Sequence, residues 1–367
     1  MAEGGVSPAS AGFCEQAGET RGQDPLFLVM NITDTINRPL RDLRISLIDR
    51  CNFRCPYCMP SEKFHHAYEF LDKDKWLSFD EIVRLARLFV NLGVTKLRLT
   101  GGEPLLRPDL DVLIRQLSVI PGVEDLALTT NGSMLNQYAQ RLKSAGLGRL
   151  TVSLDTLDES IFHELSGEKG SVKEVLEGIR CAEAAGFNSI KINAVIQRGI
   201  NDHTILDLVE YFRGTKHSVR FIEYMDVGNQ NHWENTQVVP SREIISLIDT
   251  KFPLLQVHGT QDGGTSETYR FKDGKGEVGF ISSVTKAFCG TCSRLRLSAD
   301  GKMYTCLFAT HGTDLGSHLR NGASDEFLSH LISVVWMKRE DRYSETRSVS
   351  RHDSHISPKV EMYQIGG

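Results

Sequence analysis

Three thiols stand within eight residues in the run Cys51-Asn52-Phe53-Arg54-Cys55-Pro56-Tyr57-Cys58, spaced Cys-x3-Cys-x2-Cys. Thiolates are soft ligands that select zinc or iron–sulfur clusters. A structural zinc wants four protein ligands, and a cubane cluster is also usually held by four cysteines. Three cysteines therefore leave one iron of a cubane open to a substrate or cofactor. The competing reading is a zinc loop completed by a distant histidine. Phe53 and Tyr57 would keep water off either centre, and that helps set a cluster's potential.

A second triad follows far along the chain: Cys289-Gly290-Thr291-Cys292, then thirteen residues, then Cys306. It too leaves one position open on a cubane, or it forms a Cys₃His zinc site with His311. Spacing alone leaves zinc and iron–sulfur equally open here. Directly after Cys292 comes Ser293-Arg294-Leu295-Arg296-Leu297. On a strand, Arg294 and Arg296 share a face. Two guanidinium forks beside an electron-rich centre suit a triphosphate, whereas the plainer reading is a solvated strand face. Two cysteines lie outside the clusters: Cys14, a stray thiol, and Cys181, which sits among alanines on a helical stretch and reads as core.

The segments around these clusters alternate in type. Strand patterns run over 43–48, 96–100, 125–130, 149–154, 189–196 and 219–225. Helical patterns lie between them. Ser78 with Glu81 and Ser171 with Glu174 read as capping boxes, and a helix opens at Pro240-Ser241. Six βα units in series imply parallel strands with helical crossovers. A closed barrel needs eight, so six predict a three-quarter barrel closed by the remaining chain. In such folds chemistry gathers where strands end, which puts function after Ile48, Thr100, Thr130, Leu154, Ile196 and Met225. The first triad stands at the first of these places.

Composition bounds the rest. The 367 residues carry 42 Lys plus Arg against 47 Asp plus Glu, a net charge of −5, which excludes a polycationic coat for nucleic acid but not a local basic pocket. Eight cysteines are too few for a disulfide scaffold, and exposed cluster thiols imply a reducing compartment. No apolar run reaches the ~18 residues of a membrane span. Residues 1–30 lack the features of a secretory or organelle signal and read as a disordered acidic leader, so a cytoplasmic protein is expected. The divisions expected are a leader (1–30), the partial barrel (31–250), a cluster-bearing domain (251–338) and an extended polar tail (339–367). The tail ends in Gly366-Gly367, and Met362, Tyr363 and Ile365 just before suggest docking.

Cys-x3-Cys-x2-Cys with an aromatic before the last cysteine resembles the signature of the radical S-adenosylmethionine (SAM) enzymes. In that superfamily SAM chelates the open iron and is cleaved reductively to a 5′-deoxyadenosyl radical, which abstracts hydrogen from an unactivated carbon. Thr100-Gly101-Gly102-Glu103-Pro104 resembles the superfamily's Gly-Gly-Glu-Pro motif, whose glycine backbone lies near the methionine amino group. Glycine permits that approach, and a glutamate accepts from an ammonium. The pairing of the two triads resembles the GTP 3′,8-cyclase family of molybdenum-cofactor biosynthesis, from about Asn31 to Gly367. Leu43-Arg44-Ile45-Ser46 through Met59-Pro60 matches the family's opening motif, with Ile48 departing from an expected small hydroxylated residue.

The resemblance implies an α/β fold: an incomplete (β/α)₆ TIM-type barrel with a C-terminal extension carrying a second iron–sulfur cluster. It implies two [4Fe–4S] clusters, one on Cys51, Cys55 and Cys58, the other on Cys289, Cys292 and Cys306. Tyr57, Gly102, Ser153 and Met225 match SAM-contacting positions. Arg44, Arg98, Thr129, Lys191, Arg294, Leu295 and Arg296 match GTP-contacting positions, with Arg44, Arg294 and Arg296 catalytic. The ribose 3′ carbon would lose hydrogen and attack C8 of guanine, and the cyclic dihydro product would pass to a cyclic pyranopterin monophosphate synthase. An external electron donor is implied, and a homodimer is compatible. In the family the Gly-Gly tail threads back towards the active site. Two alternatives stay open: a radical enzyme that modifies peptides using the second cluster as an auxiliary carrier, and a zinc-stabilised nucleotide-binding protein without radical chemistry.

Overall fold

Along Asp42-Leu43-Arg44-Ile45 the apolar residues are fully buried and the polar ones half-buried, and the same alternation recurs in strand after strand. That two-residue period fixes the architecture. The computed structural model describes residues 1, 30–257, 264–352 and 358–366. Most of the expected leader, Cys14 within it, and Gly367 lie outside the described residues.

Six strands and their crossover helices follow in order: β1 (Asp42–Ser46), α1 (Phe79–Asn91), β2 (Lys96–Thr100), α2 (Leu110–Ser118), β3 (Asp125–Thr130), α3 (Leu135–Ser144), β4 (Arg149–Ser153), α4 (Glu159–Ser166), α5 (Val172–Ala184), β5 (Lys191–Ile196), α6 (Ile205–Phe212), β6 (Ser218–Glu223) and α7 (Ser241–Lys251). All six strands pair in parallel, each with the next. Ser78 caps α1 by accepting from Glu81 N at 3.2 Å while Glu81 Oε2 accepts from Ser78 N at 2.6 Å, an arrangement worth about 1 kcal/mol. Helix α4 was not foreseen. Its signals are Asp158, which accepts from Ile161 N, and Gly167 in the left-handed region at φ +67°.

The remaining chain adds β7 (Leu254–Val257), β8 (Glu267–Phe271), β9 (Glu277–Ile281), β10 (Arg294–Leu297), β11 (Lys302–Tyr304), β12 (Thr313–Asp314), α8 (Gly316–Arg320), α9 (Asp325–Met337), α10 (Tyr343–His352) and α11 (Met362–Ile365). Here the structure exceeds expectation. β10 pairs parallel to β1, and β9 pairs parallel to β6. The wall therefore has eight parallel strands, ordered β10-β1-β2-β3-β4-β5-β6-β9, with antiparallel hairpins outside them. The C-terminal segment extends the barrel wall at both edges. A second difference is α10, which lies where an extended tail was expected. Its sequence has little apolar period. Side-chain contacts hold it instead: Tyr343 Oη donates to Asp226 at 2.5 Å, and Arg347 Nε donates to the same carboxylate at 2.9 Å.

The apolar core lies outside the barrel, between strands and helices. Leu43, Ile45, Leu97, Leu99, Leu128, Val152, Ile192 and Phe221 all point there, each 0–1% exposed. The helices cover them with Leu85, Phe89, Leu113, Leu142 and Val175. The opposite face of each strand looks into the barrel. Barrel interiors of this type are ordinarily packed with branched apolar side chains. This one is lined by Asp42, Arg44, Lys96, Arg98, Thr129, Arg149, Thr151, Ser153, Lys191, Asn193 and Arg220.

Candidate functional site

The first triad sits on the loop after β1, at the C-terminal face. The Cys55 carbonyl accepts from Cys58 N at 3.0 Å and from Met59 N at 2.8 Å, and this tight turn folds the loop back on itself. Arg54 clamps it from behind, donating to Cys51 O at 2.7 Å and Phe64 O at 2.9 Å. Phe53, 5% exposed, packs edge-on against Phe162, which explains why α4 belongs to the site. Burial raises all three thiols. Cys51 is pushed up to about 12 by burial and by Glu103, while Cys55 is pushed up by burial and by the other two sulfurs. As thiolates the three would repel one another in this dry loop, and bound metal would stabilise them as a set.

The loop after β2 meets this turn backbone to backbone. Gly102 N donates to Ile48 O at 2.7 Å, and a Cβ on Gly102 would fall 3.0 Å from Cys51 N and closer still to the Arg50 carbonyl. Only glycine fits. Glu103 does not face outward to an ammonium as its motif suggested. Its carboxylate accepts from Thr130 Oγ1 (2.7 Å), Asn131 N (2.8 Å) and Leu105 N (3.0 Å), so it ties β2 to β3 beneath the triad. Asn131 in turn donates to Asn52 Oδ1 at 2.8 Å. Tyr57 Oη donates to Asp155 Oδ2 at 2.8 Å, and Asp155 Oδ1 accepts from Val195 N. Asp155 was missed in the sequence, although it lies two residues beyond Ser153, at a predicted strand end. Ser153 is the last residue of β4 on the inward face, and Met225 follows β6, its carbonyl accepting from Asn231 Nδ2 at 2.9 Å. Tyr57, Gly102, Ser153 and Met225 thus share the C-terminal face with the triad.

The second triad is at the other end. Cys289–Thr291 forms a single helical turn, and Cys292 precedes β10, hence at the N-terminal ends of the parallel strands. β11 runs antiparallel with Arg296 opposite Tyr304, which brings Cys306 back beside Arg294 and Cys292. The second triad therefore stands at the face opposite the strand ends after which function was expected. Each end carries three thiols, separated by a five-residue strand of roughly 15 Å. His311 is exposed, with Nδ1 3.0 Å from Thr310 Oγ1. Among the described residues no three His, Cys, Asp or Glu side chains gather as a shell for one ion.

Cys292 differs from the other thiols. Burial would raise it, but Arg294 and Arg339 overcome that and hold it at about 6. Its sulfur accepts from Arg294 Nε and Nη2 at 3.3 and 3.2 Å and from Arg339 Nη2 at 3.3 Å. Arg339, Arg38 and Asp34 form a buried network behind the triad, and Arg38 Nη1 donates to Cys289 O at 2.9 Å. Cys306, by contrast, is raised to about 11 by burial and by Asp341.

Between the ends lies the cationic interior. Arg296, Arg44 and Arg98 form one row in register across β10, β1 and β2, and Thr151 and Lys191 form another across β4 and β5. Arg98 Nη1 donates to Thr129 Oγ1 at 3.0 Å and to Thr151 Oγ1 at 3.2 Å. Burial and the neighbouring guanidiniums push these cations down: Arg44 well below the usual range, Arg296 and Arg220 to about 10, Lys191 to about 7. Against them stand Asp42 and Asp125, the latter paired with Arg149. Arg44 Nε, Asp42 Oδ1 and Asn193 Oδ1 are buried without a hydrogen-bond partner. Such an interior is chemically incomplete: a polyanion would satisfy the Arg44 donor and the cationic row, and the two oxygens call for ligand N–H or O–H donors. Leu295 differs from its neighbours in what it can offer. Its side chain is fully buried in the outer core, so only its peptide group is left for a ligand.

The C-terminal segment reaches this interior. Tyr363 and Ile365 are 2% and 0% exposed, and Tyr363 Oη lies 2.8 Å from Tyr68 Oη. Gly366 has φ +72°, and a Cβ there would overlap Thr100 Cγ2. Arg296 Nη1 donates to its carbonyl.

The family profile of the Radical SAM superfamily matches residues 45–212, and that of Molybdenum Cofactor Synthesis C matches residues 217–345. The chain is 51% identical over 335 residues to a GTP 3′,8-cyclase of Xanthomonas axonopodis pv. citri (strain 306), covering 91% of this chain and 98% of that one. It is 48% identical over 358 residues to a GTP 3′,8-cyclase of Acidothermus cellulolyticus, covering 92% and 99%. Among solved structures, Streptococcus suis SuiB aligns with a TM-score of 0.56 at 14% identity, over 85% of this chain and 69% of that one. A structure of anSMEcpe with bound AdoMet and a peptide aligns with a TM-score of 0.51 at 12% identity, over 89% and 94%. These structural likenesses bear on the fold alone.

Proposed function

The chain belongs to the GTP 3′,8-cyclase family of radical SAM enzymes, and from that premise we propose how its residues divide the conversion of GTP to the 3′,8-cyclo-7,8-dihydro nucleotide. The observation that carries the reading is the pair of thiol triads at opposite ends of one wall, joined by an inward row of cations with unmet hydrogen-bonding capacity.

Cys51, Cys55 and Cys58 hold the family's [4Fe–4S] cluster, and Tyr57, Gly102, Ser153 and Met225 hold SAM beside it. Bound there, the pair supplies reductive cleavage of SAM and hydrogen abstraction from an unactivated carbon. Gly102 supplies the close backbone approach, and Asp155 fixes Tyr57 over the loop. Cys289, Cys292 and Cys306 would hold a second [4Fe–4S] cluster, which would supply an open iron for the guanine edge. Arg44, Arg98, Thr129, Lys191, Arg294 and Arg296 hold GTP between the two ends. Their mutual repulsion is relieved by a triphosphate, which makes binding favourable without a rearrangement of the wall. Arg44, Arg294 and Arg296 are also assigned to holding a proton for the closing ring, a role supported for Arg294 by its bond to Cys292 Sγ. The two ends confine a reactive ribose to one orientation and exclude water from it.

The division into a barrel at 31–250, a cluster-bearing segment at 251–338 and a tail from 339 goes with this assignment. The product passes to a cyclic pyranopterin monophosphate synthase, an external donor supplies electrons, and the enzyme works in the cytoplasm without nucleic acid, an assignment compatible with a homodimer. Among the described residues no helix is long and apolar enough to cross a membrane.

The test is 5′-deoxyadenosine production by the anaerobically reconstituted chain with SAM and dithionite, comparing GTP, ATP, a peptide mixture and no substrate. Deoxyadenosine that rises with GTP alone, with a GTP-derived product, is expected. Deoxyadenosine indifferent to GTP but raised by peptide would overturn the substrate assignment.

A further inference from the structure

Arg339 stands two residues past α9 and is 4% exposed. It approaches the second triad from the side of α9, whereas Arg294 approaches from the barrel. Its Nη2 donates to Cys292 Sγ at 3.3 Å and its Nη1 to Cys292 O at 2.7 Å, so one fork grips both the sulfur and the main chain of the same residue. With the two donors from Arg294, a single sulfur receives three N–H groups. By comparison, Cys306 Sγ accepts from the backbone Phe308 N, at 3.5 Å.

Arg339 is held tightly in this pose. Its Nε pairs with Asp341 Oδ2 at 3.3 Å, its Nη1 lies 3.4 Å from Asp34 Oδ2, and its guanidinium stacks 4.6 Å from the Trp336 ring. Thr35 Oγ1 donates to its carbonyl at 2.7 Å. Asp34 also binds Arg38 Nε at 2.5 Å, so the carboxylate stays compensated without Arg339. Two carboxylates and two guanidiniums balance overall, and what remains is a dipole whose positive end points at the sulfur. A salt bridge serving stability alone would have no need of a thiol partner.

We propose that Arg339 is a positioning residue of the second cluster: anchored by Asp34, Asp341 and Trp336, it fixes the Cys292 sulfur and draws electron density from it, so that the cluster accepts an electron at a higher potential. Hydrogen bonds to ligating sulfur act in this direction because they stabilise the more negative, reduced state. The inference rests on the second-cluster reading above.

The experiment uses the full-length chain with Cys51, Cys55 and Cys58 changed to alanine, reconstituted with iron and sulfide so that only the second site can load. Iron and sulfide per chain are counted first. Dithionite then supplies one electron per cluster in a mediated titration followed by electron paramagnetic resonance, with no bond to the protein made or broken. Arg339→Gln removes the charge, and Arg339→Lys keeps a charge but cannot grip sulfur and carbonyl together. The expected result is unchanged iron loading and a negative shift in both variants. In Arg339→Gln the shift is tenfold or more in the reduction equilibrium, about 59 mV for a one-electron couple. Arg339→Lys shifts less. An unmoved potential in whichever variants load iron overturns the proposal. Loss of iron from both, with the parent loaded, makes Arg339 a structural residue and overturns it equally. A parent that takes up no iron sinks the second-cluster reading itself, a failure distinct from the others.

Discussion

Replacing Gly366 by alanine tests how the C-terminal segment is seated. In its docked position Gly366 has φ +72°, and holding an L-residue there costs about 1–2 kcal/mol. The new methyl would also overlap Thr100 Cγ2, with Thr100 Cβ and Oγ1 both at 3.2 Å. Thr100 is 4% exposed and ends β2, so it cannot yield, and overpacking of this kind costs about 1–3 kcal/mol. Opposing release are the bond from Arg296 to the Gly366 carbonyl, about 1.5–3 kcal/mol for a charged donor, and burial of Ile365, about 1.5–3 kcal/mol. The methyl thus removes most of what holds the last turn, and the opening equilibrium rises by roughly one and a half to three and a half powers of ten. Amide hydrogen exchange reads this directly. Gln364 N–H, bonded to Glu361 O in α11, should exchange faster by that factor. Val360 N–H, bonded to Ala309 O and anchored through Lys359 to Asp226, should be unchanged. Gln364 exchange within threefold of the parent would refute the reasoning, and so would equal acceleration at Val360.

Other expectations follow from the same geometry. Cys306→Ser should lose roughly half of the iron and keep reductive SAM cleavage while forming no cyclic nucleotide; an active variant would sink the role given to Cys306. Gly102→Ala places a methyl against the Arg50 carbonyl and the Cys51 amide, so the loop of the first triad should fail to load iron while the second triad still loads; a fully loaded protein contradicts this. Lys191 is lowered from 10.5 to about 7 by burial and then by Arg220, Arg149 and Arg98. Its folded value lies below its unfolded one, so the unfolded chain binds more protons between about 7 and 10.5, and stability from this group rises with pH across that window. A bound polyanion reverses the shift. GTP binding at pH 8 should therefore take up protons and weaken as pH climbs, read by calorimetry in buffers of different ionisation enthalpy, and Lys191→Met should abolish the uptake.

Local pattern carried the six inner strands and most of their helices, because alternation and capping are short-range signals. The placement of Cys51–Cys58 at a strand end followed from that pattern, as did the shared face of Arg294 and Arg296. The partners of those arginines did not follow. Arg294 meets a sulfur two residues away, whereas Arg296 meets the Gly366 carbonyl from seventy residues on. The parallel docking of β9 and β10 was equally hidden, since pairing of Val219 with Val278 and of Asp42 with Arg294, far apart in the chain, is decided by tertiary packing. Asp34, Arg38 and Arg339 carry no motif. Their association spans about three hundred positions and exists only in the folded chain. Asp155 was the more accessible omission, because a buried acid just past a predicted strand end invites a partner.

The alternation along each strand also separates two kinds of inheritance. Residues pointing outward hold the wall to its helices, and a change there risks the whole fold. Residues pointing inward touch few of those contacts, so a lineage can exchange them one at a time while the scaffold persists. New guests would then arise through substitutions at every second position of a few strands, with the cysteine loop left as it is. Descent within such an architecture should leave its variation on the concave side of the sheet and its constancy on the convex side.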